Sequence, residues 1–183
     1  MKFIVDSAVL YYGDFNLEGT KLDTLLDTIK SKELGLAKDS IKFEAKPNIR
    51  DIEYAGRMER SVVGKQRITK WDVTVEGNIL DLNEAVLNAS LVNKKVSEST
   101  KYDVFEPSDG LIAAENYKDL LIVGTELGTE DPIAIHVFNS LNPEGLSLEL
   151  KDVDEASTAM KFTGAYNSDG KTTPFKIYKP KTV

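Results

Sequence analysis

The sequence predicts a mainly β fold, an antiparallel β-sandwich or partly open barrel with one or two short helices. Three observations lead there. Apolar and polar residues alternate through about seven runs, as where Ile41, Phe43 and Ala45 interleave with Lys42, Glu44 and Lys46. Turn-forming groups such as Asn142-Pro-Glu-Gly145 and Asn167-Ser-Asp-Gly170 separate several runs by hairpin distances. Helical spacing of apolar residues is confined to two short stretches.

In chain order, Phe3-Ile-Val5 and Ala8-Val-Leu-Tyr-Tyr12 predict a short strand or an extended N-terminal arm over residues 1–12. Thr20 with Asp23 resembles an N-cap pair, and Leu22, Leu25, Leu26 and Ile29 follow at helical spacing, so a helix is expected over residues 21–32 with Gly35 as its stop. Its leucine stripe is read as packing on its own domain, with a subunit contact as the sharper alternative.

A long hairpin follows, 41–54 paired with 68–79. The register whose residue numbers sum to 118 sets Phe43 opposite Val75, Ala45 opposite Val73, Lys42 opposite Glu76 and Lys46 opposite Asp72. A slip of two residues would set Glu44 against Glu76 or Asp72. That register, subject to a bulge, centres the tip near Glu59.

Asp81-Leu-Asn-Glu84 reads as a capping box, and Leu82, Ala85, Val86 and Ala89 as the stripe of a second helix covering one face of the sheet. Residues 94–116 are polar and loop-like. Strands resume at 120–123, 133–138 and 146–150, and a second hairpin pairs 159–166 with 175–178. Residues 179–183 are a basic C-terminal arm without a folding pattern.

At 183 residues, with 41% hydrophobic and 29% charged, the chain suits one domain, 1–183, with a proper core. A net charge of −7 argues against a general nucleic-acid or anionic-membrane binder. There is no cysteine, hence no disulfide or thiolate chemistry. The first apolar run is broken too early for a signal peptide and no stretch reaches membrane-spanning length, so a chain folded in the cytoplasm without membrane insertion is expected.

Charge is unevenly spread. All four arginines, Arg50, Arg57, Arg60 and Arg67, fall with Lys65 and Lys70 in the window 48–70, where six basic residues face three acidic ones. The window is +3, which leaves −10 on the rest. A basic projection on an acidic body suits head-to-tail self-assembly or an acidic partner.

The run Ile49-Arg-Asp-Ile-Glu-Tyr-Ala-Gly56, then Gly64-Lys-Gln-Arg67 and Trp71-Asp-Val-Thr-Val-Glu-Gly77, resembles the central hairpin of the tail tube (major tail) proteins of long-tailed bacteriophages. Met160-Lys-Phe-Thr-Gly-Ala-Tyr166 and Thr173-Pro-Phe-Lys-Ile177 resemble that family's closing strand pair. The resemblance implies a tail-tube-like domain, six copies to a ring, and rings stacked into a hollow tube in the virion through which DNA passes as transient cargo. It also implies other tail proteins as partners, no cofactor and no catalysed reaction. By position it assigns ring stacking to residues 55–67, with Arg57, Arg60, Lys65 and Arg67 reaching carboxylates of the next ring, such as those in 126–131 or 152–155. Candidates for the lumen wall are Glu44, Asp72 and Glu76, on the polar face of the central sheet, which can equally look at a neighbour or at solvent. Alternatives are the tube protein of a contractile injection or secretion machine, a monomeric β-sandwich module binding an acidic protein, and a carboxylate hydrolase.

Enzymatic signatures are weak. His136 is the only histidine and reads as a satisfied strand residue. The glycine spacing between Gly56 and Gly64 is wrong for a phosphate loop, and Gln66 stands where a magnesium-binding hydroxyl belongs. Asp109-Gly110 and Asp169-Gly170 lack the further oxygens of a calcium loop. Asn88-Ala-Ser90 fits a glycosylation pattern by chance.

Overall fold

A computed structural model describes residues 4–17, 22–56, 60–97, 99–126, 132–150, 152, 155–170 and 172–180. Thr20, the terminal residues 1–3 and 181–183, residues 127–131 of the acidic stretch 126–131 and residues 153 and 154 of the stretch 152–155 lie outside them. The fold is mainly β with antiparallel pairing and two short α-helices. Eleven strands occur among the described residues, more than the seven or so expected, because the N-terminal segment 4–13 and short pieces at 33–36, 92–95 and 104–107 also pair.

Strand β1 (Ile4–Gly13) pairs with β7 (Lys118–Glu126) along one edge and with β2 (Glu33–Leu36) along the other. The N-terminal segment is therefore a strand within the sheet rather than an arm. From β7 the order continues through β8 (Pro132–Leu141), β10 (Ser157–Gly164) and β4 (Gln66–Ile79) to the edge strand β3 (Lys42–Asp51). Between β2 and β4 runs one bridge, Ala37 with Ile79, flanked by Leu80 N–H on Leu36 O at 2.9 Å and Lys38 N–H on Asn78 O at 2.8 Å. The sheet thus curls towards itself without closing into a barrel.

The helix expected over 21–32 is cut short. Helix α1 (Leu22–Thr28) ends where the Thr28 hydroxyl donates to Leu25 O at 2.7 Å, a local bond that competes with further helix. A 3-10 turn (Lys30–Lys32) follows, and Gly35 then sits in β2 rather than stopping a helix. Its φ of +112° is a conformation side chains avoid, and an added Cβ would lie 2.7 Å from Asp81 Cβ.

The first core cluster gathers Leu10, Leu34, Val73, Val75, Ile79, Leu120, Met160 and Phe162, covered by Val86 and Ala89 of α2 (Glu84–Ala89). That helix lies where expected, but Asn83 caps it: its Oδ1 accepts from Val86 N–H at 2.9 Å, while Asp81 accepts from Leu82 N–H at 2.8 Å. The second cluster lies across the sheet, where Ile29, Leu25 and Leu26 pack with Tyr11, Leu17, Leu121 and Val123. α1 therefore packs on its own domain. Burial of β7 on both faces explains why Leu120-Leu-Ile-Val123 is apolar without interruption.

The separate hairpin of β5 (Val92–Lys95) and β6 (Val104–Pro107) reaches into residues 94–116, expected as loop. The 159–166/175–178 hairpin does not form. Asn167–Gly170 does turn, with Gly170 N–H on Asn167 O at 2.9 Å, but β10 pairs with β4, β8 and β9 (Ser147–Glu149) while β11 (Phe175–Tyr178) pairs with β8 alone. Both strands use the same edge of β8 in succession: β10 meets Ser140 and Leu141, and β11 meets Ala134 to Val137. The backbone bends between them at Asn139, whose φ is +47°.

Phe162→Ala should lower unfolding free energy by about 3–5 kcal/mol, because a fully buried ring leaves a cavity, whereas Ile68→Ala on the exposed hairpin should cost within about 0.5 kcal/mol. Urea melts of the two variants check this. Burial also pushes the pKa of the Tyr12 hydroxyl, which donates to Asn116 O at 3.0 Å, up to about 12. The unfolded tyrosine loses its proton near pH 10. Stability held below that point should therefore decline as the pH rises towards 12, and Tyr12→Phe should remove this part of the alkaline decline.

Candidate assembly surface

The β3–β4 hairpin has a buried root and a bare outer half. At the root the predicted register holds: Phe43 faces Val75, Ala45 faces Val73, Lys42 faces Glu76 and Lys46 faces Asp72. Trp71 packs edge-on against Phe175 at 5.8 Å between centroids, and Phe43 meets the same ring at 5.5 Å. The strand edge at Trp71 is capped by Tyr166, whose Oη accepts from Trp71 N–H at 2.7 Å. That bond takes over where β10 has left β4.

Beyond the root a bulge intervenes between Asn48 and Ile49, and the pairing resumes one residue out of step, with Ile49 opposite Ile68, Arg50 opposite Arg67 and Asp51 opposite Gln66. Residues Gln66 to Lys70 are all exposed. Gln66 and Ser61 each donate to the Asp51 carboxylate, at 3.0 and 3.1 Å, and Ile52 N–H reaches Lys65 O at 2.8 Å, so the ribbon stays ordered past the bulge.

Of the residues assigned to stacking, Arg60, Lys65 and Arg67 are exposed on this arm, and Arg57 lies outside the described residues. Arg50 is exposed on the same arm, although the resemblance does not assign it to stacking. Its place directly across from Arg67 depends on the bulge offset, since the unshifted register would have set it opposite Ile68. Two guanidinium groups facing each other repel.

Glu44, Asp72 and Glu76 do share the polar face of the sheet, but none is a bare charge. Glu44 holds Lys46 at 2.5 Å and Lys42 at 3.2 Å, Asp72 holds Lys70 at 2.8 Å and accepts from the Asn48 amide, and Glu76 holds Lys161 at 3.1 Å. Lys161 also reaches Glu144 at 3.5 Å. Hydrogen bonds from Lys46 and then Lys42 hold the Glu44 carboxyl below the usual range, and those from Lys70 and Asn48 do the same for Asp72. The face is a mosaic of paired charges rather than an acidic wall.

His136 is buried, with Nε2 2.8 Å from Asp119 Oδ2, and its ring lies against Phe138 at 4.0 Å. Asp119 also accepts from Asn139 N–H at 3.1 Å, so the pair braces the bend in β8. Among the described residues, no three His, Asp or Glu side chains gather as a metal site, and no helix is long and apolar enough to cross a membrane.

Because the folded pKa of Glu44 is depressed, its contribution to stability is present above the ordinary glutamate range and is lost as the pH falls through and below that range. Carbon-detected NMR titration should place the Glu44 midpoint below the usual glutamate value, and Lys46→Gln should move it back up.

No family model and no curated protein matches the chain.

Proposed function

We propose that the chain is a structural subunit that assembles with copies of itself into rings stacked as a hollow tube, the tail tube of a long-tailed bacteriophage. The observation that carries this reading is the outer half of the β3–β4 hairpin. It is an ordered two-stranded ribbon that projects past the core and displays cations and large apolar side chains together, on a chain whose remainder is strongly acidic. An arm of this composition is poorly suited to solvent, and a carboxylate-rich neighbour suits it.

Stacking of identical rings requires two different surfaces on each subunit, so that contacts propagate without closing. The arm serves as one of them. Large exposed apolar residues elsewhere, among them Val96, Tyr102, Leu111 and Leu150, are further surface for neighbours within the ring or for other tail proteins. On this reading the subunit catalyses no reaction, assembles in the host cytoplasm and ends in the virion.

The paired charges around Glu44, Asp72 and Glu76 suit a wall past which DNA slides. Each lysine there already has a carboxylate, so a phosphate would have to displace it, and little net attraction is left to retard the cargo.

Electron microscopy of the purified protein at rising concentration should show rings or tubes. The triple change Arg57→Glu, Arg60→Glu, Arg67→Glu should abolish stacking while leaving the thermal melt nearly unchanged, as surface substitutions do. A wild-type protein that remains monomeric at every concentration would rule this function out.

A further inference from the structure

Both faces of the arm are bare. Ile49 and Ile68, 57% and 50% exposed, face one another on the side that carries the core nearer the root, and Arg50 and Arg67 face one another on the opposite side. Among the described residues neither arginine has a carboxylate within ion-pair distance, although the sheet lysines Lys42, Lys46, Lys70 and Lys161 all do. Two repelling cations and two solvated isoleucines at one place form a surface that a partner must complete.

The opposite end of β4 carries the complementary pattern. Leu36, Leu80 and Leu82 are exposed there, Leu36 by 67%, and the bond from Leu80 N–H to Leu36 O sets two of them side by side. Next to them a groove of about 360 Å³ is lined by Glu33, Asp81 and Glu84, with Lys30 the one cation among its described lining residues and Lys94 at 4.0 Å from Glu84 on its rim. The arm and this pole are separated by the length of β4, fourteen residues and roughly 45 Å. A subunit cannot fold its own arm back across that distance.

We infer that the arm of one copy docks on the far pole of β4 in the next, isoleucines against leucines and arginines against the groove carboxylates. The occupant is a second copy of this chain because the chain bears both halves of the match, an apolar and cationic pole and an apolar and anionic one, at the two ends of a single strand. The inference rests on the stacking proposed above and names the two surfaces that meet in it. It also moves the acidic partners of the arm away from residues 126–131 and 152–155.

A charge swap tests it. Arg50→Glu with Arg67→Glu reverses the arm, and Glu33→Lys with Glu84→Lys reverses the groove while sparing Asp81, whose oxygens hold Leu82 and Asn83. Sedimentation velocity and microscopy are read for each double variant alone and for the equimolar mixture. Each variant alone should need about tenfold or more higher concentration to assemble, and the mixture should return to near the wild-type concentration, since each reversed arm then meets a reversed groove. Assembly in the mixture also shows that both variants are folded. A groove variant that assembles like the wild type, or a mixture that stays as impaired as its components, overturns the docking while leaving self-assembly standing. A wild type that never assembles overturns the stacking reading itself.

Discussion

Everything distinctive in this molecule depends on how β3 registers against β4. Phe43 on Val75 and Ala45 on Val73 close the core face, while Lys42 on Glu76 and Lys46 on Asp72 close the polar one. Each such cross-strand pair is worth only roughly 0.2–1 kcal/mol, but a one-residue slip would turn every apolar side chain to water at once. The register is therefore set cooperatively at the root, where Trp71, Phe43 and Phe175 interlock, and the outer ribbon inherits its alignment from there.

The rest of the sheet provides an anchor for that ribbon. β1, β7 and β8 are covered on both faces, by α1 on one side and by the α2-capped cluster on the other. This two-sided burial makes the middle of the sheet rigid, whereas β3 at the edge is covered on one face only. Pro47 within β3 contributes no N–H, and Lys42 and Lys46 precede it on the same strand, so the free edge is a poor template for indiscriminate strand addition. In the assembly proposed above, association is directed instead to side-chain surfaces.

Charge follows the same division. Lysines near the core are matched with carboxylates at hydrogen-bonding distance, which leaves the sheet face near neutrality. Among the described residues, Arg50 and Arg67 on the arm are not matched in this way. Guanidinium groups suit such a position, because their planar donors meet carboxylates two bonds at a time and hold little water compared with an ammonium group.

The sequence by itself determined what local alternation and charge arithmetic can carry: the mainly β class, the two short helices, the root register, and the concentration of all arginines in the one window 48–70. These are properties of neighbouring residues or of two strands joined by one turn. Tertiary structure alone decided the rest. The partner of β10 and β11 depended on competition for one edge of β8, so the turn at 167–170 was legible and the pairing was not. Helical spacing through Ile29 gave way to a 3-10 turn and a strand because the edge of β1 offered Glu33–Leu36 a ladder. The facing of Arg50 on Arg67 required the bulge at Asn48, and the opposition of a cationic and an anionic pole emerged only once β4 was seen as one continuous strand joining them. Long-range pairing is chosen among competitors by packing that is shared across the whole domain, and no single stretch of the chain encodes it.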